Sequence, residues 1–291
     1  MKKQLLIISL LVIPFLSQAQ SKETSPFLGN FVQFFNNETY LNPAFAGTQL
    51  SAFNISAITR VDYVGISGDK FGANKGLFTI DKRFDNKNFA LAFNLNTITF
   101  NSNRNFELAA NYSYHLNLGK DRKLCMGLKA GGVYADRFVN LELRETDDQK
   151  YTDADSYSPT FLPKIGAGFL YKSEKLYAGI STPDVANNNL NLTTSGGYKY
   201  FLNEDLYIEP NFLGRYSKTF PTKIDINTMI GKQESFWLGA NYSVKNSMAL
   251  MGAIYIKGRI ELGYAIDYNT NLTSGRISHE IMLQWDIEDA L

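Results

Sequence analysis

The sequence predicts an all-β protein, a transmembrane antiparallel β-barrel of about fourteen strands preceded by a non-strand segment. Three observations carry this. An export signal opens the chain, segments of alternating apolar and polar residues follow without a break in composition, and short connections alternate with long ones. The expected organisation is a signal peptide over 1–19, an N-terminal lead-in or plug over 20–48, and a barrel over 49–291.

The signal reads from Lys2 and Lys3 through an apolar run, Leu5 to Leu16, to Ser17-Gln18-Ala19. Maturation is expected before Gln20. Because that position is not cysteine, a lipid anchor placed directly after the signal is not expected. Cys125 is the only cysteine, which excludes a disulfide within the chain despite export. With 29 Lys and Arg against 28 Asp and Glu, mixed along the chain, nothing suggests a nucleic-acid partner. No apolar run after the signal reaches the length of a membrane helix, so a membrane location requires strands. The 17 Tyr and 21 Phe suit strands and interfacial girdles, but a soluble β protein could also hold them.

Ser21 to Thr48 lacks strand alternation, with Phe27, Phe31, Phe34 and Phe35 irregularly spaced. Within it, Asn42-Pro43-Ala44-Phe45-Ala46-Gly47 reads as a turn, since Pro43 restricts Asn42 and Gly47 tolerates positive φ. Strands are expected over 50–62, 75–83, 88–100, 104–118, 123–138, 159–172, 175–182, 194–202, 206–217, 223–231, 235–244, 247–256, 259–268 and 277–287. Ile260, Leu262, Tyr264, Ile266 and Tyr268 share one face, opposite Glu261, Gly263, Ala265 and Asp267. The same alternation sets Phe106, Leu108, Tyr112 and Tyr114 against Glu107, Asn111, Ser113 and His115.

Connections such as Gly119 to Arg122 and Lys257-Gly258 are short, whereas Tyr63 to Asn74, Asn140 to Ser158 and Asn269 to Arg276 are long. Short turns then mark the periplasmic end and long loops the cell exterior. The polar faces are rich in Gly, Ala, Asn and Ser, with charges that read as isolated: Glu107, Lys129, Glu209, Arg215 and Glu261. A soluble sandwich would expose more Lys, Glu and Thr there. Closing some fourteen strands leaves a lumen too wide for its own side chains, so it must hold water, a ligand or a plug. The lead-in is the candidate plug.

Catalysis is not expected, nor is a cofactor. In Ser278-His279-Glu280, neighbours point to opposite faces, which separates His279 from its flanking residues; His115 reads as a lumen-facing polar residue. Asp147, Asp148, Asp153 and Asp155 match no calcium loop, and no Cys/His cluster suggests a metal site. Gly131-Gly132 and Gly196-Gly197 read as positions of bending or close backbone approach rather than a phosphate cradle. Cys125 falls on a polar face with nothing beside it to activate it.

Tyr40 to Gly47 resembles the N-P-A-Y-A-G signature of the PorP/SprF family of Bacteroidetes outer-membrane proteins. Arg60-Val61-Asp62-Tyr63 is similar to that family's R-x-Q-W motif at Arg60 and departs from it at Asp62 and Tyr63. Phe236 to Ala240 resembles its late strand. Gly263-Tyr264, Asp267-Tyr268 and Ser278 to Leu283 resemble its C-terminal signature. The marked positions are Asn42, Pro43, Ala44, Gly47, Arg60, His279 and Glu280. The resemblance implies a non-enzymatic part in type IX secretion and gliding: exporting or surface-anchoring a cargo protein such as an adhesin. Implied partners are the cargo's C-terminal domain, other type IX secretion or gliding components, and outer-membrane lipid. The alternative is a porin-like or hydrophobic-solute transport barrel, which a wide polar lumen would also suit.

Overall fold

A computed structural model describes residues 31–49, 51–64, 73–84, 87–100, 103–136, 160–183, 191–217, 221–270 and 276–287. The expected signal, the lead-in as far as residue 30, most of the long loops and the aspartates of 147–155 lie outside the described residues. The strands are β1 (Phe53–Val64), β2 (Ala73–Phe84), β3 (Phe89–Phe100), β4 (Asn103–Gly119), β5 (Arg122–Asp136), β6 (Thr160–Lys172), β7 (Leu176–Thr182) and β8 (Asn191–Tyr198). They continue as β9 (Tyr200–Phe201), β10 (Leu206–Ser217), β11 (Lys223–Lys232), β12 (Phe236–Ser243), β13 (Ser247–Ile256), β14 (Ile260–Asn269) and β15 (Arg276–Ile287).

Antiparallel neighbours pair in chain order, and β15 pairs with β1, so the sheet closes. Closure removes the free edge that an open sheet would expose. Fourteen staves make the barrel, and β9 is a two-residue strand bonded to β10 alone. It keeps the register of β8, because Gly197 faces Asn211 and Tyr200 faces Ile208. The expected strand over 194–202 is therefore broken at Lys199 and starts three residues earlier. The break directly follows Tyr198, which the register sets opposite Pro210, a residue with no N–H to give to the ladder. Other boundaries move by a few residues, such as β1 beginning at Phe53 rather than at 50.

Side-chain direction follows the alternation. Leu128, Phe161, Ile165, Leu238, Leu250 and Ile281 point outward and exposed, whereas Glu107, Asn111, Arg215, Asp267 and Glu280 point inward and buried. This polarity is the reverse of a soluble barrel and matches one surrounded by lipid. Phe106, Tyr134 and Phe161 stand side by side at the long-loop end. At the short-turn end, Phe84 and Phe89 stack at 4.8 Å and Phe89 stacks on Tyr112 at 5.7 Å. Aromatic residues thus edge the apolar band at both ends, where an amphipathic ring is favoured.

The glycine pairs mark close approach. A Cβ on Gly132 would fall 2.3 Å from the Phe161 ring, and one on Gly197 would fall 2.4 Å from the Tyr177 ring.

Leu128 and Leu250 lie near the middle of β5 and β13. Leu128→Arg or Leu250→Arg is expected to destabilise the folded barrel by about 2–4 kcal/mol in denaturant titration in lipid vesicles. Loss of less than about 0.5 kcal/mol would mean that the outer face does not meet hydrocarbon.

Candidate functional site: the lumen segment and its wall

Residues 31–49 lie inside the barrel. A short 3₁₀ turn (Phe34–Asn36), a one-turn helix α1 (Glu38–Leu41) and a second 3₁₀ turn (Pro43–Phe45) follow one another. Asn42 is extended, as the residue before a proline should be, and its side chain accepts from the Ala44 N–H at 2.9 Å. Pro43 then opens the turn at a position where its missing N–H costs nothing. Gly47 ends it at φ +70, in the region that glycine tolerates.

Local bonds leave most carbonyls of this stretch unpaired, and the barrel wall supplies their donors. Lys129 Nζ reaches Tyr40 O at 3.3 Å, Ser181 Oγ reaches Leu41 O at 2.8 Å, and Ser113 Oγ reaches Ala44 O at 3.1 Å. His115 Nε2 lies 2.8 Å from Ala46 O. Arg83 bonds Gly47 O and Gln49 O at 3.3 and 2.9 Å, and Lys172 bonds Thr48 O at 2.8 Å. In the other direction, both Asp81 oxygens accept the Gly47 N–H, at 2.7 and 2.9 Å. Glu280 accepts the Val32 and Gln33 N–H groups at 2.7 and 3.2 Å. Asn42 Nδ2 also bonds the Phe169 carbonyl of β6 at 3.1 Å.

The wall is small where the segment passes. A Cβ on Gly127 would sit 2.2 Å from Ala44 N, and one on Gly168 would sit 2.0 Å from Asn42 Oδ1. The segment also supplies the lumen's apolar core. Phe31, Phe34, Tyr40 and Leu41 pack with Ile58, Leu77, Leu213 and Met282. Val32 and Phe35 meet Met229, Trp237, Met251 and Ala265. Ala44 and Phe45 cover Cys125 and Leu170, and Ala46 lies on Ala90 and Ala92. These clusters draw on staves all round the barrel.

Two ion groups flank the segment. Arg60 bonds Asp62, Asp267 at 2.7 Å and Glu280 at 2.7 Å, while Lys75 bonds Asp62 at 2.7 Å. Arg215 and Lys223 lie 2.5 and 3.8 Å from Asp225 nearby. These eight groups carry four charges of each sign. The second group joins Glu107 to Lys129 at 3.1 Å and Lys164 at 2.9 Å, and the Tyr40 hydroxyl donates to Glu107 at 3.1 Å. Lys129 also stands 4.5 Å over the Tyr40 ring.

Four of the five charges that read as isolated along the sequence are paired with an opposite charge and the fifth, Glu261, is hydrogen-bonded, because a lone ion in this interior would cost several kcal/mol. Glu107 pairs with Lys129, Arg215 with Asp225, Glu209 with Lys199 at 3.3 Å, and Glu261 accepts from Trp237 Nε1 at 2.8 Å. Asp62, a departure from the family motif, takes part in the largest group.

Arg60 and Glu280 meet although they lie 220 positions apart, and Asn42, Pro43, Ala44 and Gly47 form the buried turn. His279 is elsewhere. It faces outward, and its Nδ1 lies 2.6 Å from the Tyr264 hydroxyl, so it shares no site with Ser278 or Glu280. Among the described residues no group of His, Cys, Asp and Glu is arranged to hold a metal. Sequence reading missed Asp81, Arg83, Ser113, Lys172 and Ser181. Their inward parity was visible, but their acceptors lie in a segment without periodicity.

A closed barrel with an apolar outer belt and a polar, charge-paired interior is an outer-membrane β-barrel protein. Solved structures with this fold include the P. putida toluene transporter TodX, at 10% identity and TM-score 0.55 over 87% of this chain and 94% of that one. The CymD monoaromatic hydrocarbon channel is similar at 9% identity and TM-score 0.53, over 88% and 94%. The Acinetobacter baumannii outer membrane protein Omp33 is similar at 7% and 0.51, over 81% and 98%. At such identities the likeness is one of fold. A comparison with curated proteins finds no match. The chain belongs to the PorP/SprF family, type IX secretion system membrane proteins, whose model matches residues 28–285.

Two outcomes test the lumen segment. Arg60→Ala leaves Asp267 and Glu280 without a cation, while Asp62 keeps Lys75, and is expected to cost about 3–5 kcal/mol, with part recovered in Arg60→Ala/Glu280→Gln. No coupling between the two positions in a double-mutant cycle would contradict the ion group. Burial pushes the Glu38 carboxyl of α1 from 4.5 up to about 8, with Lys172 pulling the other way and Glu209 adding to the rise. A raised carboxyl binds its proton more tightly in the folded state, so its contribution is full below about pH 4.5 and is lost as pH rises toward 8. Proteolysis of the segment in detergent is expected to quicken between those values, and Glu38→Gln is expected to flatten the change.

Proposed function

We propose that this protein is a non-enzymatic component of the type IX secretion system that helps to export one cargo protein or to hold it at the cell surface. The observation that carries this reading is the family match over 28–285. Two features support it. The family's Asn42 to Gly47 signature coincides with the stretch that the wall bonds most closely. A segment bonded at so many points across the lumen also suits a protein whose partners are polypeptides better than an open diffusion pore. The cargo class proposed is a surface adhesin recognised through its C-terminal domain, with other secretion or gliding components as partners.

The competing reading is transport of a hydrophobic solute. Its support is the fold shared with TodX and CymD, which match over 87–88% of this chain with only about a tenth of the residues identical.

Deletion of the gene is expected to remove one cargo from the surface and leave other type IX cargoes in place. Unchanged display of every cargo would overturn the proposal. In planar bilayers the intact protein is expected to give no steady conductance, whereas a stable conductance would favour solute transport.

A further inference from the structure

The short-turn end of the barrel is electrically lopsided. Over the turns joining β2 to β3, β4 to β5 and β6 to β7 (residues 82–89, 118–124 and 171–176), the sequence carries eight Lys and Arg against three Asp and Glu. Over the remaining three turns and the end of β15 (199–206, 231–236, 256–260 and 286–287), it carries four against four. The basic half is the one beneath which the lumen segment emerges at Gly47 and Thr48.

One observation separates this sector from an ordinary solvated rim, and it is direction. Arg83, Lys123 and Lys172 stand two residues beyond Asp81, Cys125 and Leu170 on the same inward faces, so their charges face the mouth of the lumen rather than lipid. Inward cations cannot meet headgroups around the outside of the barrel.

From these placements we infer that the basic sector is a docking surface for an acidic polypeptide segment arriving from the periplasmic side. This rests on the reading above that the partners are polypeptides. Arg83, Lys123 and Lys172 receive the segment at the mouth, and the exposed Lys87, Lys120, Arg122 and Lys175 at the turn tips extend the contact. Arg83 and Lys172 already hold the carbonyls of Gly47, Thr48 and Gln49. Carboxylates bound there draw on the same cations, and occupation of the surface loosens the lower end of the lumen segment. Docking and the seating of the segment are thereby coupled in opposite directions.

The test uses the full-length barrel in phosphatidylethanolamine nanodiscs and a fluorescein-labelled deca-glutamate peptide, read by anisotropy. Lys120→Glu/Arg122→Glu/Lys175→Glu is expected to weaken binding at least about tenfold, and Lys232→Glu/Lys257→Glu/Arg259→Glu to change it by less than about twofold. Refolding of each variant is checked by its heat-dependent mobility. No binding by the unaltered barrel, or equal loss in both triple variants, would overturn the docking surface. So would a barrel that ignores the peptide but binds phosphatidylglycerol vesicles through Lys120, Arg122 and Lys175, since the sector would then be a lipid anchor. Normal display of every cargo in a deletion strain overturns the functional reading instead, so the two failures are distinguishable.

Discussion

A peptide group carried into a barrel interior must find a hydrogen-bond partner there, and the stretch from Tyr40 to Gln49 brings in seven carbonyls that its own turns do not satisfy. The inner surface is arranged around that need. Lys129, Ser181, Ser113, His115, Arg83 and Lys172 come from five different strands, yet each points at the carbonyl it bonds. Asp81 and Glu280 do the same for N–H groups. An irregular backbone is tolerated at this depth because protein surrounds it, as it would not be against lipid. Wall positions that face the segment are small for a related reason: Gly127 leaves room for the main chain at Ala44, Gly168 for the Asn42 side chain, and Ala90 and Ala92 for Ala46.

Electrostatics reinforces the same arrangement. Charged side chains on inward faces are expensive unless neutralised, and the neighbouring ion clusters around Arg60 and Asp225 together hold four cations and four anions. Glu280 belongs both to the Arg60 cluster and to the bonds that hold Val32 and Gln33. The ion group therefore fixes the position of the upper end of the segment as well as the spacing of β1, β14 and β15. Glu107 plays the matching part for Tyr40, between Lys129 and Lys164. A fold whose outside is apolar thus has a polar interior that specifies one path for one segment.

Much of the architecture was legible because a strand repeats every two residues, and one residue's face settles its neighbours'. Leu262 and Glu261 fall on the sides their parity indicates, and so do Phe106 and Glu107. The short turns fell where Gly, Asn and Lys interrupt the alternation. The break at Lys199 was not legible, since it comes from Pro210 on the neighbouring strand. Nor were the ion groups, because Arg60 and Glu280 are brought together only when the last strand closes on the first. Asn42 to Gly47 stood out as a turn and as a family signature. What it touches did not, because contacts of an aperiodic segment depend on where the barrel wall places its donors. His279 shows the opposite case: alternation alone separated it from Glu280, and the structure sets it against Tyr264 on the outer face.

These features make the lumen segment the link between fold and function: it fills the lumen, carries the family signature, and ends beneath the basic sector of the mouth. The native thiol of Cys125 reports on it without any substitution, for Cys125 is buried on an inward face behind Ala44 and Phe45. The most direct measurement is the rate at which a water-soluble maleimide labels Cys125 in the folded protein in outer-membrane vesicles. If the segment fills the lumen, labelling is negligible until the barrel is denatured. Rapid labelling of the folded barrel would show an open lumen and contradict the account.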